Sequence, residues 1–278
     1  MLLLQSGGLI NLFRIQEPAN YVDSQVVNDS RNIQMITDIF IFIIPVVVIA
    51  FLVSKARLKY LQITTKINGK MLLLGALTIL VSLPVINYLG VLNQHIQLPD
   101  YLQDMEQKAD AIEAAFEAHH TLFDLIMNII VMALVAAVSE ELFFRAGMQK
   151  IMIKLTMNVH IGVWVSAIIF SAIHMQFSGF FPRMLLGVFL GYLFVWSGSI
   201  WVNIFAHFMF NGSQIFVQYL QDMKISNGFV DKVFSPTPSY TYIAISTVLV
   251  VLLIVAIYRM APKPIVVAAG EIPGVISE

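Results

Sequence analysis

The stretch that decides the fold is Leu125–Met148, which reads LIMNIIVMALVAAVSEELFFRAGM. Its only ionisable side chains are Glu140, Glu141 and Arg145, and almost everything else in it is apolar. About 20 apolar residues cross a bilayer core as a helix. A charge at that depth costs a few kcal/mol or more, so an intramembrane charge is a candidate functional residue. The stretch therefore predicts a membrane helix with a polar site near its end.

The composition of the whole chain agrees with a membrane protein. Of 278 residues, 58% are hydrophobic and 12% are charged, against about 25% charged residues in soluble domains. The net charge of −1 leaves no basic surface for nucleic acid, so no nucleic-acid partner is expected. The absence of cysteine excludes disulfides, thiolate zinc sites and a cysteine nucleophile.

Seven apolar stretches are long enough, or nearly so, to cross a membrane. They are Ile33–Val53, Met71–Leu92, His120–Ser139, His160–Met175, Arg183–Ser197, Ile200–Leu220 and Tyr240–Tyr258. The third stretch ends at Ser139 or continues through Arg145. The predicted fold class is all-α, a polytopic transmembrane helical bundle of about seven spans (six to eight). Residues 1–278 are expected to form a single integral membrane domain.

Loop charges predict the orientation of this bundle. The segment Lys55–Lys70 is basic and Asp100–Glu117 is acidic, and basic loops stay in the cytoplasm. The acidic loop should lie outside and contain an amphipathic helix near 101–117, because its apolar residues recur at helical spacing. The N-terminus is then outside and the C-terminus cytoplasmic. The tail 262–278 is expected to be a disordered cytoplasmic end.

Helical spacing divides the roles of the two glutamates. Glu141 and Arg145 are four residues apart and share a helix face, which predicts an internal ion pair. Glu140 points about 100° away from Glu141 and is left free. A helical hairpin that turns at Met157–Asn158 would bring His174 level with Glu140. His207 and Asn211 are also four residues apart on one predicted helix.

This set of side chains is suited to hydrolysis. A carboxylate such as Glu140 can act as a general base towards water, and Asn211 can donate to an oxyanion. His174 and His207 can polarise the water and the carbonyl, or they can bind a metal together with Glu140. The alternative is structural, since a single intramembrane histidine is often a packing residue and a Glu-Glu pair often marks a helix end. Their joint occurrence on three predicted helices favours a site.

The order of these motifs resembles the CPBP intramembrane protease family, which includes type II CAAX prenyl endopeptidases and bacteriocin-processing and self-immunity proteins. The resemblance covers about Asp124–Val217, with Ala146 where the family usually has glycine. The motifs that carry it are Glu140-Glu141-x-x-x-Arg145, Phe170-x-x-x-His174, Phe189-Leu-Gly191 and His207-x-x-x-Asn211.

The resemblance implies an intramembrane endopeptidase in a bacterial inner (plasma) membrane, acting on a membrane-associated peptide or protein. It implies that Glu140 and His174 activate water and that His207 and Asn211 stabilise the oxyanion or bind a metal. Glu141 and Arg145 would be supporting catalytic residues. The implied cofactor is at most one divalent metal, zinc by preference, held by His174, His207 and Glu140. The alternatives are a proton-coupled transporter or channel and a non-catalytic immunity or scaffold protein.

Overall fold

A computed structural model describes residues 24–117, 121–226, 228–235 and 237–261. These residues form helices and connecting turns, with no strand among them. The helices are α1 (24–53), α2 (Arg57–Tyr60), α3 (Gly69–Gln94), α4 (Asp100–Glu117), α5 (122–156), α6 (Val159–Ala172), α7 (Phe180–Ser197), α8 (Ile200–Asp222), α9 (Gly228–Val233) and α10 (Tyr240–Met260). The all-α prediction is confirmed.

Each of the seven predicted apolar stretches is mainly helical. Helices α1, α3, α5, α7 and α10 are long and apolar enough to cross a membrane, α7 together with the short turn Phe177–Gly179 before it. Helix α6 is a shorter apolar helix, and α8 runs unbroken for 23 residues. The chain is therefore an integral membrane protein with a polytopic helical bundle.

Helix α5 is longer than the sequence indicated. The third predicted stretch ends at Ser139 or Arg145, but the helix continues to Thr156. It contains two π-helical segments, Ile129–Val135 and Leu142–Gln149. Such segments widen the turn and are frequent at functional sites. The second one begins directly after Glu141.

The predicted hairpin between α5 and α6 turns where expected. Met157 has left-handed backbone angles, with φ +52°. The side-chain oxygen of Asn158 accepts hydrogen bonds from the backbone N–H groups of His160 and Ile161 at 2.8 and 3.2 Å. These bonds satisfy N–H groups that would otherwise lack a partner at the start of α6.

The centre of the bundle is formed by α7 and α8. Apolar side chains of α3, α7, α8 and α10 make one core cluster, and those of α1, α5, α7 and α8 make another. Small residues permit the close approach of helices. A Cβ atom at Gly187 of α7 would lie 3.1 Å from Ala167 of α6. The outer sides of α1 and α10 expose large apolar side chains, as a lipid-facing surface requires.

The predicted amphipathic helix near 101–117 corresponds to α4. It contacts the loop after α6 through two carboxylates. Glu106 accepts hydrogen bonds from the backbone N–H of Ser178 at 2.8 Å and from its hydroxyl, and Asp110 accepts one from Gln176 at 2.9 Å. The end of the bundle on this side is called the α4 end below. The predicted tail 262–278 lies outside the described residues.

Candidate active site

The polar site lies where α5 changes from regular helix to π-helix. Glu140 and Glu141 end the regular segment Ala136–Glu141, and Arg145 lies in the π segment that follows. Helix α8 packs against this part of α5 and contributes Asn203 and His207. All five side chains are buried. Because these groups are removed from water, their contacts with one another decide what each can do.

Glu141 is enclosed by three partners. Its Oε2 lies 3.1 Å from Arg145 Nε in an ion pair and accepts a hydrogen bond from Asn203 Nδ2 at 3.2 Å. Its Oε1 lies 3.0 Å from His207 Nδ1. The predicted pairing of Glu141 with Arg145 is thus confirmed in the geometry. A carboxylate with this many partners is stabilised in its charged form and acts as a fixed anion.

Glu140 has far fewer partners. Its Oε2 lies 3.8 Å from His207 Nε2, beyond ordinary hydrogen-bond distance. It is 9% exposed, whereas Glu141 is fully buried. His207 therefore lies between the two glutamates, with Nδ1 close to Glu141 and Nε2 farther from Glu140. Of the two carboxylates, Glu140 is therefore the less tightly held and the less buried.

Arg145 lies against an aromatic wall. Its guanidinium carbon is 5.0 Å from the centre of the Phe170 ring and 6.0 Å from that of Phe144. Both rings are almost completely buried. The centre of the Phe170 ring is also 5.0 Å from His174 and 5.9 Å from His207. The aromatic rings thus stabilise the guanidinium of Arg145 through cation–π contacts.

His174 occupies a different position from the one expected. Helix α6 ends at Ala172, so His174 lies in the turn after it and not on the helix. Its Nδ1 is 2.8 Å from the backbone oxygen of Phe170. Among the described ion pairs, Glu140 is joined to His207 and not to His174. The hairpin places His174 near the site, but the structure shows no direct pairing of His174 with Glu140.

Asn211 follows His207 by one turn of α8, as predicted. Its Nδ2 donates a hydrogen bond to the backbone oxygen of Met132 at 3.1 Å, which ties α8 to α5. An amide nitrogen carries two hydrogens, so one donor of Asn211 remains for another acceptor. The structure brings Glu140, Glu141, Arg145 and His207 into direct contact, with His174 and Asn211 at their border.

The sequence interpretation missed several polar residues around the site. Asn203 precedes His207 by four residues, and this helical spacing could have shown that the two side chains share a face of α8. Asn203 is fully buried and also donates a hydrogen bond to the backbone oxygen of Leu190 at 2.6 Å. Arg183 is near enough for its charge to act on Glu140 and His174. Asp38 had a clear signal, since it is a carboxylate inside the first apolar stretch, and its charge also acts on Glu140.

The residues of the site do not form a metal centre of a familiar type. Zinc sites use at least three protein ligands. Within the described part of the chain, no group of three or more His, Asp or Glu side chains is arranged to hold a metal ion. Glu140, His174 and His207, which the resemblance implied as ligands, do not form such a group. The single divalent metal that the resemblance implies stays a prediction, and the mechanism proposed below is written with protein groups alone.

Together these observations define a class of protein. Long apolar helices surround a cluster of two glutamates, an arginine and a histidine, in which Glu140 is the most exposed side chain. This is an integral membrane protein with a polar site inside its helical bundle.

Comparison with known proteins finds a similar family for the segment that contains the site. Residues 122–213 match a family model described as type II CAAX prenyl endopeptidase Rce1-like. The uncharacterized protein YpbD of Bacillus subtilis (strain 168) is 31% identical over 88 residues, which are 30% of this chain and 42% of YpbD. The chain therefore spans less than half the length of that relative. No solved structure matches the chain. The match of residues 122–213 to this family model agrees with the resemblance found in the sequence.

Proposed function

We propose that the protein is an intramembrane endopeptidase that hydrolyses a peptide bond in a membrane-associated peptide or protein. The match of residues 122–213 to the Rce1-like family model supports protease activity. The observation that carries the assignment of residues is the asymmetry of the two glutamates. Glu141 is held by Arg145, Asn203 and His207, while Glu140 has one loose neighbour at 3.8 Å.

In the proposed reaction Glu140 takes a proton from a water molecule. The oxygen of that water adds to the carbonyl carbon of the scissile bond, and the carbonyl oxygen becomes an oxyanion. Glu140 then passes the proton to the leaving amide nitrogen, and the C–N bond breaks. General-base catalysis of this kind contributes about 10²–10⁴-fold to the rate.

His207 and Asn211 are proposed to stabilise the oxyanion. In this role both ring nitrogens of His207 carry a hydrogen, and Nδ1 donates to Glu141 at 3.0 Å. Its Nε2–H is then a donor on the side of Glu140. The second amide hydrogen of Asn211, on the same helix, is proposed to donate to the oxyanion as well. His174 would orient the attacking water. Donors of this kind act strongly where water is excluded.

A cavity beside α8, whose lining includes none of the six site residues, is proposed to hold part of a peptide substrate. It measures about 370 Å³ and lies between α3, α7 and α8. Several amide side chains line it, and they can donate to and accept from peptide groups. These amide residues are Asn87, Gln94, Gln214, Gln218 and Gln221. Gln214 and Gln218 follow Asn211 by about one and two turns of α8.

The test compares two isosteric variants on a panel of membrane-associated peptides. Glu140→Gln should lower turnover about 10²–10⁴-fold with little change in unfolding temperature, because it removes a proton acceptor and keeps the shape. Glu141→Gln should lower the unfolding temperature, because it removes the partner of Arg145. Turnover measured with and without a chelator decides between a mechanism of protein groups alone and one that uses the implied divalent metal. The two roles are reversed if Glu140→Gln cleaves normally while Glu141→Gln is folded but inactive. The proposed function is refuted if the wild-type protein cleaves none of the peptides.

A further inference from the structure

A stripe of polar residues runs along the first membrane helix. Asn28, Arg31, Gln34 and Asp38 are spaced by three, three and four residues in α1, which places them on one face. Residues 27–53 of this helix are long and apolar enough to cross a membrane. The face carrying the stripe is turned towards α5, and Asp38 is near enough for its charge to act on Glu140.

The beginning of the stripe is tied to α5 near the α4 end of the bundle. Arg31 is 1% exposed and donates from Nε to Asn128 at 2.8 Å. Its NH1 lies 3.1 Å from Asp124 and 3.0 Å from Asn28. The side chain of Asp124 is 17% exposed. The stripe therefore begins at a partly exposed ion pair.

The other end of the stripe lies deep in the bundle. Asp38 is fully buried, and its Oδ1 accepts a hydrogen bond from Gln34 at 2.8 Å. Seven residues of helix separate Asp38 from Arg31, a distance of about 10 Å. Within the described residues, Asp38 Oδ2 and Arg31 NH2 have no hydrogen-bond partner. Buried polar atoms in native proteins almost always have a partner in the protein or in water.

We propose that this stripe is a hydrated path that leads water from the α4 end of the bundle to Glu140. The path is formed by Arg31, Gln34 and Asp38 of α1 with Asp124 and Asn128 of α5. Water is the ligand that suits it, because water can accept from Arg31 NH2 and donate to Asp38 Oδ2. The proposal rests on the proposed function, in which Glu140 consumes one water molecule in each cleavage.

A purely structural role explains only half of the stripe. The ion pair of Arg31 with Asp124 would hold α1 to α5 without any water. It does not explain Asp38, a carboxylate about 10 Å deeper that has no salt-bridge partner among the described residues. An isolated buried carboxylate is costly. Contact with water along the stripe lowers that cost.

Cysteine labelling tests the path without requiring activity. The chain has no native cysteine, so single variants can be read directly in purified protein in lipid vesicles. A charged methanethiosulfonate reagent reacts with thiolates and so reports contact with water. Gln34→Cys and Asp38→Cys should react about tenfold or more faster than Ile36→Cys, a residue at similar depth whose side chain is exposed on the outside of the bundle.

Each other outcome contradicts the path. Equal and slow labelling at positions 34, 36 and 38 would show a dry stripe that only joins two helices. Labelling at 34 without labelling at 38 would show that water stops short of Glu140. If Asp38→Cys does not fold, Asn128→Cys probes the facing helix. These results do not depend on turnover, so a failed protease assay and a dry stripe are distinguishable.

Discussion

Replacing Arg145 by alanine tests the part of the site that the structure defines best. Arg145 and Glu141 are fully buried, with 3.1 Å between Nε and Oε2. At an effective dielectric constant of about 20, two unit charges at that distance attract by about 5 kcal/mol. Loss of one partner of a buried pair typically costs about 3–5 kcal/mol. Glu141 keeps its contacts with His207 and Asn203, so we expect the lower half of that range for Arg145→Ala.

The measurement is the free energy of unfolding in detergent micelles. Arg259→Ala is a matched control, because Arg259 is exposed in the last turn of α10 and should cost no more than about 1 kcal/mol. The double variant Glu141→Gln with Arg145→Ala should be more stable than Arg145→Ala alone, since it removes the buried charge that has lost its arginine. The reasoning is refuted if Arg145→Ala costs no more than Arg259→Ala. An Arg145→Ala variant that is fully stable but inactive would indicate a direct role in catalysis.

Two further predictions concern packing and topology. Gly191→Ala should destabilise the protein by about 1–3 kcal/mol, because its Cβ would lie 2.8 Å from Val163 and 2.9 Å from Gln149. The control Gly90→Ala has open space around it and should be neutral or stabilising by up to about 1 kcal/mol. Equal effects of the two variants in thermal unfolding would contradict the predicted contact. Asp104→Cys should be labelled by an impermeant thiol reagent from outside the cell and Lys66→Cys only after the membrane is opened, and the reverse pattern would overturn the orientation inferred from loop charges.

The helices and one ion pair could be predicted from the sequence because they depend on local spacing. A run of apolar residues predicts a membrane helix wherever it folds, and two side chains four residues apart meet on any regular helix. The pairing of Glu141 with Arg145 and the turn at Met157 follow from such rules.

The arrangement around His207 could not be predicted in this way. Counting residues from the turn brings His174 level with Glu140, but it does not give the rotation of α8 against α5. That rotation is fixed by packing, including the hydrogen bond from Asn211 to the backbone of Met132. As a result His207 faces both glutamates, and His174 does not pair with Glu140. Asp38 could be recognised in the sequence as a carboxylate inside an apolar stretch. Its role depends on which helix packs against its side of α1, and the sequence does not give that.

The geometry suggests why a membrane site needs two adjacent glutamates. A single carboxylate in an apolar bundle would be held in its neutral form or would be costly to fold. Arg145 forms an ion pair with Glu141 at 3.1 Å, and His207 lies between Glu141 at 3.0 Å and Glu140 at 3.8 Å. Glu140 can then remain ionised beside His207 without a tight partner of its own. The neighbouring charged groups thus offset the free-energy cost of burying Glu140 as a carboxylate. This carboxylate is the group that the proposed hydrolysis requires.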